Sequence, residues 1–178
     1  MPDKYKHIPP ACAIAFVCLR FLISEGFWNY TRYKRPITRL FYMLTGNFKS
    51  GWVSKEAMEL KAKDRCDDHA NPPQVACYYL LDNWDKFNNI ELFHKFWRKV
   101  STTIAVTKKQ NTQLSGFSHN SNETGNVLKV SKLTNERYKS LGIVLRSNEE
   151  GICFTADEPF PLDLGEEYNE YEKEFMLI

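Results

Sequence analysis

The string Cys66-Asp67-Asp68-His69-Ala70-Asn71-Pro72 gathers three ionisable groups in a break between two apolar-periodic stretches. Those residue types suit phosphate chemistry. A carboxylate is a hard oxygen donor for a divalent cation. An imidazole, with an ordinary pKa of about 6.5, takes a proton from water near neutrality. A cation held there stabilises charge on a phosphate and its leaving oxygen. The plain alternative is that Asp67 and Asp68 cap the helix that follows and His69 is a satisfied loop residue. A second string, Ile104 to Leu114, reads as a strand, a cap at Thr107 and a short helix with Asn111 one turn inside. Asn111 could face a cation held by Asp68 if that strand lies beside the His69 segment. Otherwise it is an ordinary exposed helix residue.

Together the two strings resemble the motifs of HNH (His-Me finger, ββα-metal) nucleases. Asp68-His69-Ala70-Asn71-Pro72 looks like the opening motif, with its Asp-His pair and a Pro three residues after the His. Val106-Thr107 with Asn111 and Leu114 looks like the closing strand and helix. The resemblance implies His69 as the general base, and Asp68 and Asn111 as ligands of one Mg2+ or Mn2+ ion. It implies hydrolysis of phosphodiester bonds in double-stranded DNA. The style is similar to small phage-encoded, free-standing homing endonucleases, in which a segment like Arg137-Tyr138-Lys139-Ser140-Leu141-Gly142-Ile143 follows. Arg137 or Lys139 would then clamp a neighbouring phosphate. The chain departs from the family in placing about thirty residues, read as two helices, between the motifs, where a compact finger has a hairpin or loop. The family's middle Asn has no clear counterpart, although Asn83, Asn88 and Asn89 are present.

Other strings carry less. Glu59-Leu60-Lys61 matches the end of a PD-(D/E)XK nuclease motif, but that motif needs a strand and this stretch reads as helix. Cys66, His69, Cys77 and His94 could in principle gather zinc, with only Cys66-x-x-His69 at a compatible spacing. Cys12, Cys18 and Cys153 lie in apolar stretches and read as small core residues. His7 belongs to no motif. Gly-rich phosphate loops, nucleophile elbows and dinucleotide fingerprints are missing from the sequence.

Charge is segregated. The net charge is +2, yet residues 149–178 hold one Lys and ten acids, which leaves +11 on the preceding 148 residues. A basic body with interleaved aromatics fits a polyanion. Trp28, Tyr30, Arg32, Tyr33, Lys34, Arg35 and Arg39 form the densest such cluster. Cations there would neutralise phosphates while the rings stack; the same residues would equally suit a solvated helix end. The acidic segment reads as a solubilising tail, or as a phosphate mimic folded over the basic body. A binding module that coats nucleic acid without cutting it, or a viral structural protein, would show the same charge pattern without catalysis.

With 178 residues the chain suits one domain and a tail, read as an α+β domain over 1–155 and an acidic tail over 156–178. No apolar run reaches the roughly 18 residues of a membrane helix. The run Pro9–Leu19 continues past Arg20 in helical periodicity, which favours an amphipathic helix over a secretory signal. Five cysteines without framework spacing suit a cytoplasmic protein with thiols. A palindromic DNA target would favour a homodimer, though nothing in the chain demands one.

The elements that must position these strings fall into two textures. Helices are expected over 9–26, 36–45, 54–64, 72–81 and 89–99, from apolar periodicity and from Pro, Ser and Gly punctuation. A β-branched strand follows at 102–107, then helical turns at 108–114, a Ser/Asn/Gly-rich loop at 115–126, and a helix at 135–141 capped by Thr134 and stopped by Gly142. Late strands at 143–145 and 152–154 would flank a hairpin loop. A helical first half thus precedes a small sheet with a ββα-metal-like site.

Overall fold

Pro10 fits the first turn of a helix because its missing N–H is an orphan there anyway. Helix α1 runs Pro10–Ser24, and Gly26, at φ 72°, closes it with its N–H donating to the Ile23 carbonyl at 2.9 Å. The structure, a computed structural model, describes residues 6–118, 134–147, 153–154 and 164–177. The chain forms two compact units.

The first unit comprises residues 1–46 and 73–101 and is helical. After α1, a 3-10 turn at Phe27–Asn29 leads into α2, Thr31–Leu44. Helix α2 begins five residues earlier than the expected start at Pro36, which lies inside it. An interior proline removes one hydrogen bond and strains one turn. Around that turn, Arg32 lies over the Tyr33 ring and Lys34 over the Trp28 ring. Buried Ile37, Thr38 and Phe41 anchor the helix beyond it. The unit's later helices are α4 (Pro73–Asp82), α5 (Trp84–Phe87) and α6 (Ile90–Val100). Phe16 and Phe93 meet edge to face, and buried Leu19, Leu80 and Trp97 complete the apolar interior.

The second unit comprises residues 47–72 and 102–178 and is built on a mixed sheet. Its strands are β1 (Phe48–Ser54), β2 (Arg65–His69), β3 (Thr102–Thr107), β4 (Leu145–Ser147) and a two-residue β5 (Cys153–Phe154), in the order β2-β3-β1-β4-β5. Strands β1 and β3 are parallel; the other pairings are antiparallel. The remaining helices are α3 (Lys55–Met58), α7 (Lys108–Ser118), α8 (Thr134–Ser140) and α9 (Glu166–Leu177). Ala70, Ile104, Val106, Leu114, Tyr138, Ile143 and Leu145 form one buried cluster on one side of the sheet.

Several expectations change here. The helix expected over 54–64 is only the short α3, followed by a separate 3-10 turn at Ala62–Asp64. Ser54 does cap α3, accepting from the Ala57 N–H at 3.2 Å. Helix α7 extends to Ser118, four residues into the expected loop, whose remainder lies outside the described residues, as do Thr134's side chain and most of the late hairpin loop. The late strands pair one to two residues further on, Leu145 with Phe154. The acidic tail contains α9, in which Tyr168 is buried. Among the described residues no helix is long and apolar enough to cross a membrane.

Candidate functional site

Nothing in Arg-Cys-Asp-Asp-His favours a strand by propensity. Yet residues 65–69 are β2, because the Thr/Ile/Val run of β3 offers a complete ladder. The pairing runs without a break from Arg65 opposite Thr107 to His69 opposite Thr103, and the Ala70 N–H extends it to the Thr102 carbonyl. The thirty residues between the two strings therefore do not separate them. They leave the sheet unit as α4, α5 and α6, and the chain returns to lay β3 against β2.

Thr107 caps α7, as expected, but reciprocally. Its hydroxyl accepts from the Gln110 N–H at 3.1 Å, and its own N–H donates to Gln110 Oε1 at 3.0 Å, which makes a capping box. Gln110 is buried, donating to Glu56 at 2.8 Å and accepting from the Ser54 hydroxyl at 2.7 Å. The starts of α3 and α7, at the ends of the parallel strands β1 and β3, are thereby tied together. Helix α7 packs on β2 and β3, with Leu114 in the buried cluster. Asn111, one residue beyond Gln110 on this helix, is half-buried.

Side chains alternate along a strand. Cys66, Asp68 and Ala70 accordingly face the buried cluster and α7, while exposed Asp67 and half-buried His69 face the other way. Helix α7, which carries Asn111, thus lies on the Asp68 side of the sheet, and His69 lies at the strand's last position on the other.

Asp68 is itself buried, and its Oδ2 is committed. It accepts a short hydrogen bond from the Tyr138 hydroxyl and one from Arg137 Nη2 at 3.3 Å. Arg137 Nη2 also donates to the carbonyls of His69 at 3.0 Å and Ala70 at 3.4 Å. Burial, followed by the Asp68 charge, holds the Tyr138 phenol well above its ordinary value, so it stays protonated and donating. Arg137 is only 2% exposed and fixes the end of β2, whereas Lys139 is half-buried. No protein-family model, curated protein or solved structure matches the chain.

The basic cluster lies on α2. Arg32, Arg35 and Arg39 are exposed at i, i+3 and i+7, one stripe on the helix, over a rise of about 10 Å. Lys34 differs: it is half-buried, with its ammonium 4.7 Å from the Trp28 ring centroid. The Trp28 indole donates to Asp82 at 2.8 Å, so that ring is a fixed platform.

The remaining candidates separate. Glu59 and Lys61 are exposed after α3 rather than on a strand. Cys12, Cys18, Cys66 and Cys77 are thiols; burial pushes Cys12 up to about 12 and Cys77 well above its ordinary range. Cys66 and His69 lie in the sheet unit whereas Cys77 and His94 lie in the helical unit. A set that sequence reading passed over does converge: His7, Glu91 and His94 place one ligand atom each within 4.8 Å of one another. The i, i+3 spacing of Glu91 and His94 was visible, but nothing local pointed to His7, 84 residues away.

Proposed function

We propose that the protein is a metal-dependent endonuclease that hydrolyses phosphodiester bonds in double-stranded DNA. The observation that carries this reading is the antiparallel pair β2–β3 running into α7, with α7 packed back on β2. Two strands and a helix in that order are the frame that the Asp-His and Asn motifs require. A hard divalent cation would take its oxygen donors from α7's side of the sheet, the Asn111 amide oxygen and Asp68 Oδ1, since Oδ2 is committed to Tyr138 and Arg137. Such an ion, Mg2+ or Mn2+, supplies charge stabilisation at the scissile phosphate when bound. His69 takes the proton from the attacking water, and Arg137 fixes the backbone carbonyl of that same residue. Arg32, Arg35 and Arg39 neutralise phosphates of the duplex.

Plasmid nicking by the purified chain, with and without Mg2+ or Mn2+, tests this. His69→Ala is expected to lower the metal-dependent rate by roughly 10²–10⁴-fold while leaving gel-shift affinity nearly unchanged. A mutant that cuts at the wild-type rate removes His69 from the mechanism.

One feature favours a second reading, binding without cleavage. Strand alternation puts His69 and Asp68 on opposite faces of the sheet, and Asp68 has a structural pair of its own. The stripe on α2 would then be the whole function. Under that reading DNA is shifted at every metal condition and never cut.

A further inference from the structure

The helical unit holds three potential metal donors outside the motifs considered above. Glu91 and His94 are three residues apart on α6, hence on one face of that helix. His7 stands in the turn before α1. Its Nε2 lies 3.0 Å from Glu91 Oε2, and its ring centroid lies 5.8 Å from that of His94. All three donor atoms fall within 4.8 Å of one another, and among the described residues this is the group of three His, Cys, Asp or Glu side chains that does so.

The group is held in place from behind. Ile8, next to His7, is buried at 2% exposure and pins the N-terminal segment. Asn89 caps α6 by accepting from the Glu91 N–H at 2.8 Å. The Trp97 ring, its centroid 6.3 Å from that of His94, backs the second imidazole. His94 Nε2 is buried without a hydrogen-bond partner among the described residues. A buried ring nitrogen without a protein partner is open to a bound ion or a water.

We propose that His7, Glu91 and His94 form a binding site for a zinc-class divalent ion, distinct from the oxygen-rich site of the sheet unit. Two imidazoles and one carboxylate select a late first-row ion over Mg2+, which prefers an all-oxygen shell. Zinc sits about 2.0–2.2 Å from such donors, so the set closes by small side-chain rotations. The ion would replace the His7–Glu91 hydrogen bond, releasing whichever proton that bond holds. It would join the N-terminal segment to α6 and leave a fourth position for water.

Isothermal titration of the full chain with ZnCl2, repeated with MgCl2, reads the stoichiometry. One zinc per chain is expected, without competition from equimolar magnesium. His7→Ala is the primary variant, because an exposed side chain can be changed without endangering the fold; it should weaken zinc at least tenfold. Glu91→Gln and His94→Gln should do the same. Co2+ substituted at the site should give visible d–d bands without a thiolate charge-transfer band. Zinc bound equally well by His7→Ala, or a cobalt spectrum with thiolate character, would place the ion on cysteines and overturn the proposal. Absence of stoichiometric binding would also overturn it, leaving His7 and Glu91 as an ion pair only.

Discussion

Asp68, His69 and Asn111 differ from His7, Glu91 and His94 in how they come together. In the sheet unit Asp68 and His69 are adjacent in sequence, yet adjacency on a strand sends them to opposite faces. In the helical unit His7 and Glu91 lie 84 residues apart, yet the i, i+3 pair of Glu91 and His94 and a pinned turn before α1 bring all three donors within 4.8 Å. Asp68 already has a cation and a phenol for partners, so an incoming ion must share it. His94 has a ring nitrogen to give. Closeness along the chain thus says little about convergence until the period of the element is known.

The sharpest way to break this comparison is to remove Arg137. Its guanidinium and the Asp68 carboxylate are both nearly inaccessible, at 3% and 10% side-chain exposure. Leaving a buried charge uncompensated costs about 3–5 kcal/mol. Arg137→Met is expected to lower unfolding free energy in urea by that amount, and Asp68→Asn in the Arg137→Met background should recover part of it. If Arg137→Met is near neutral, Asp68 is free to serve an ion alone, and the contrast between the two sets disappears.

Much of the fold was legible. Helices α4 and α6 and strand β3 come from plain apolar periodicity, and the Ser54 and Thr107 caps from residue type. The misses have physical causes. Strand β1 is hidden because Gly51, at φ 83°, interrupts its alternation where the register against β3 shifts. Strand β2 has no β-formers of its own and exists through its partner. Arg137 looked like a surface cation because burial of an arginine depends on a carboxylate 69 residues away. His7 carried no signal at all, since only tertiary packing brings it to α6.

A smaller effect comes from Tyr138. Tyr138→Phe removes one donor to Asp68 and should cost about 1–3 kcal/mol. The pH dependence has a definite sign. The folded state holds the phenolic proton more tightly than the unfolded chain does, because the pKa is raised. This contribution is complete below the unfolded value of about 10 and is lost as pH rises through the folded value. Urea titrations above roughly pH 10 should therefore show a steeper alkaline loss in the wild type than in Tyr138→Phe. Equal slopes would mean that Asp68 does not depend on this hydroxyl, and Arg137 alone would hold it.

The smallest expected change bears on Asn111, the one member of the sheet set that comes from a helix. Its position depends on where α7 begins, and the Thr107–Gln110 box sets that start. Thr107→Ala removes a side-chain acceptor from the Gln110 N–H and should cost about 1 kcal/mol. Thr107→Ser keeps the acceptor and should be close to neutral, which separates the cap from mere loss of a methyl group. Gln110 retains its bonds to Ser54 and Glu56 in both variants, so the helix frays only at its first turn. If Asn111 serves an ion beside Asp68, that fraying weakens Mn2+-dependent nicking by more than its stability effect alone predicts, while zinc binding by His7, Glu91 and His94 stays unchanged. A parallel loss in both would show that the two sets are coupled through global stability; a loss confined to the sheet set separates them.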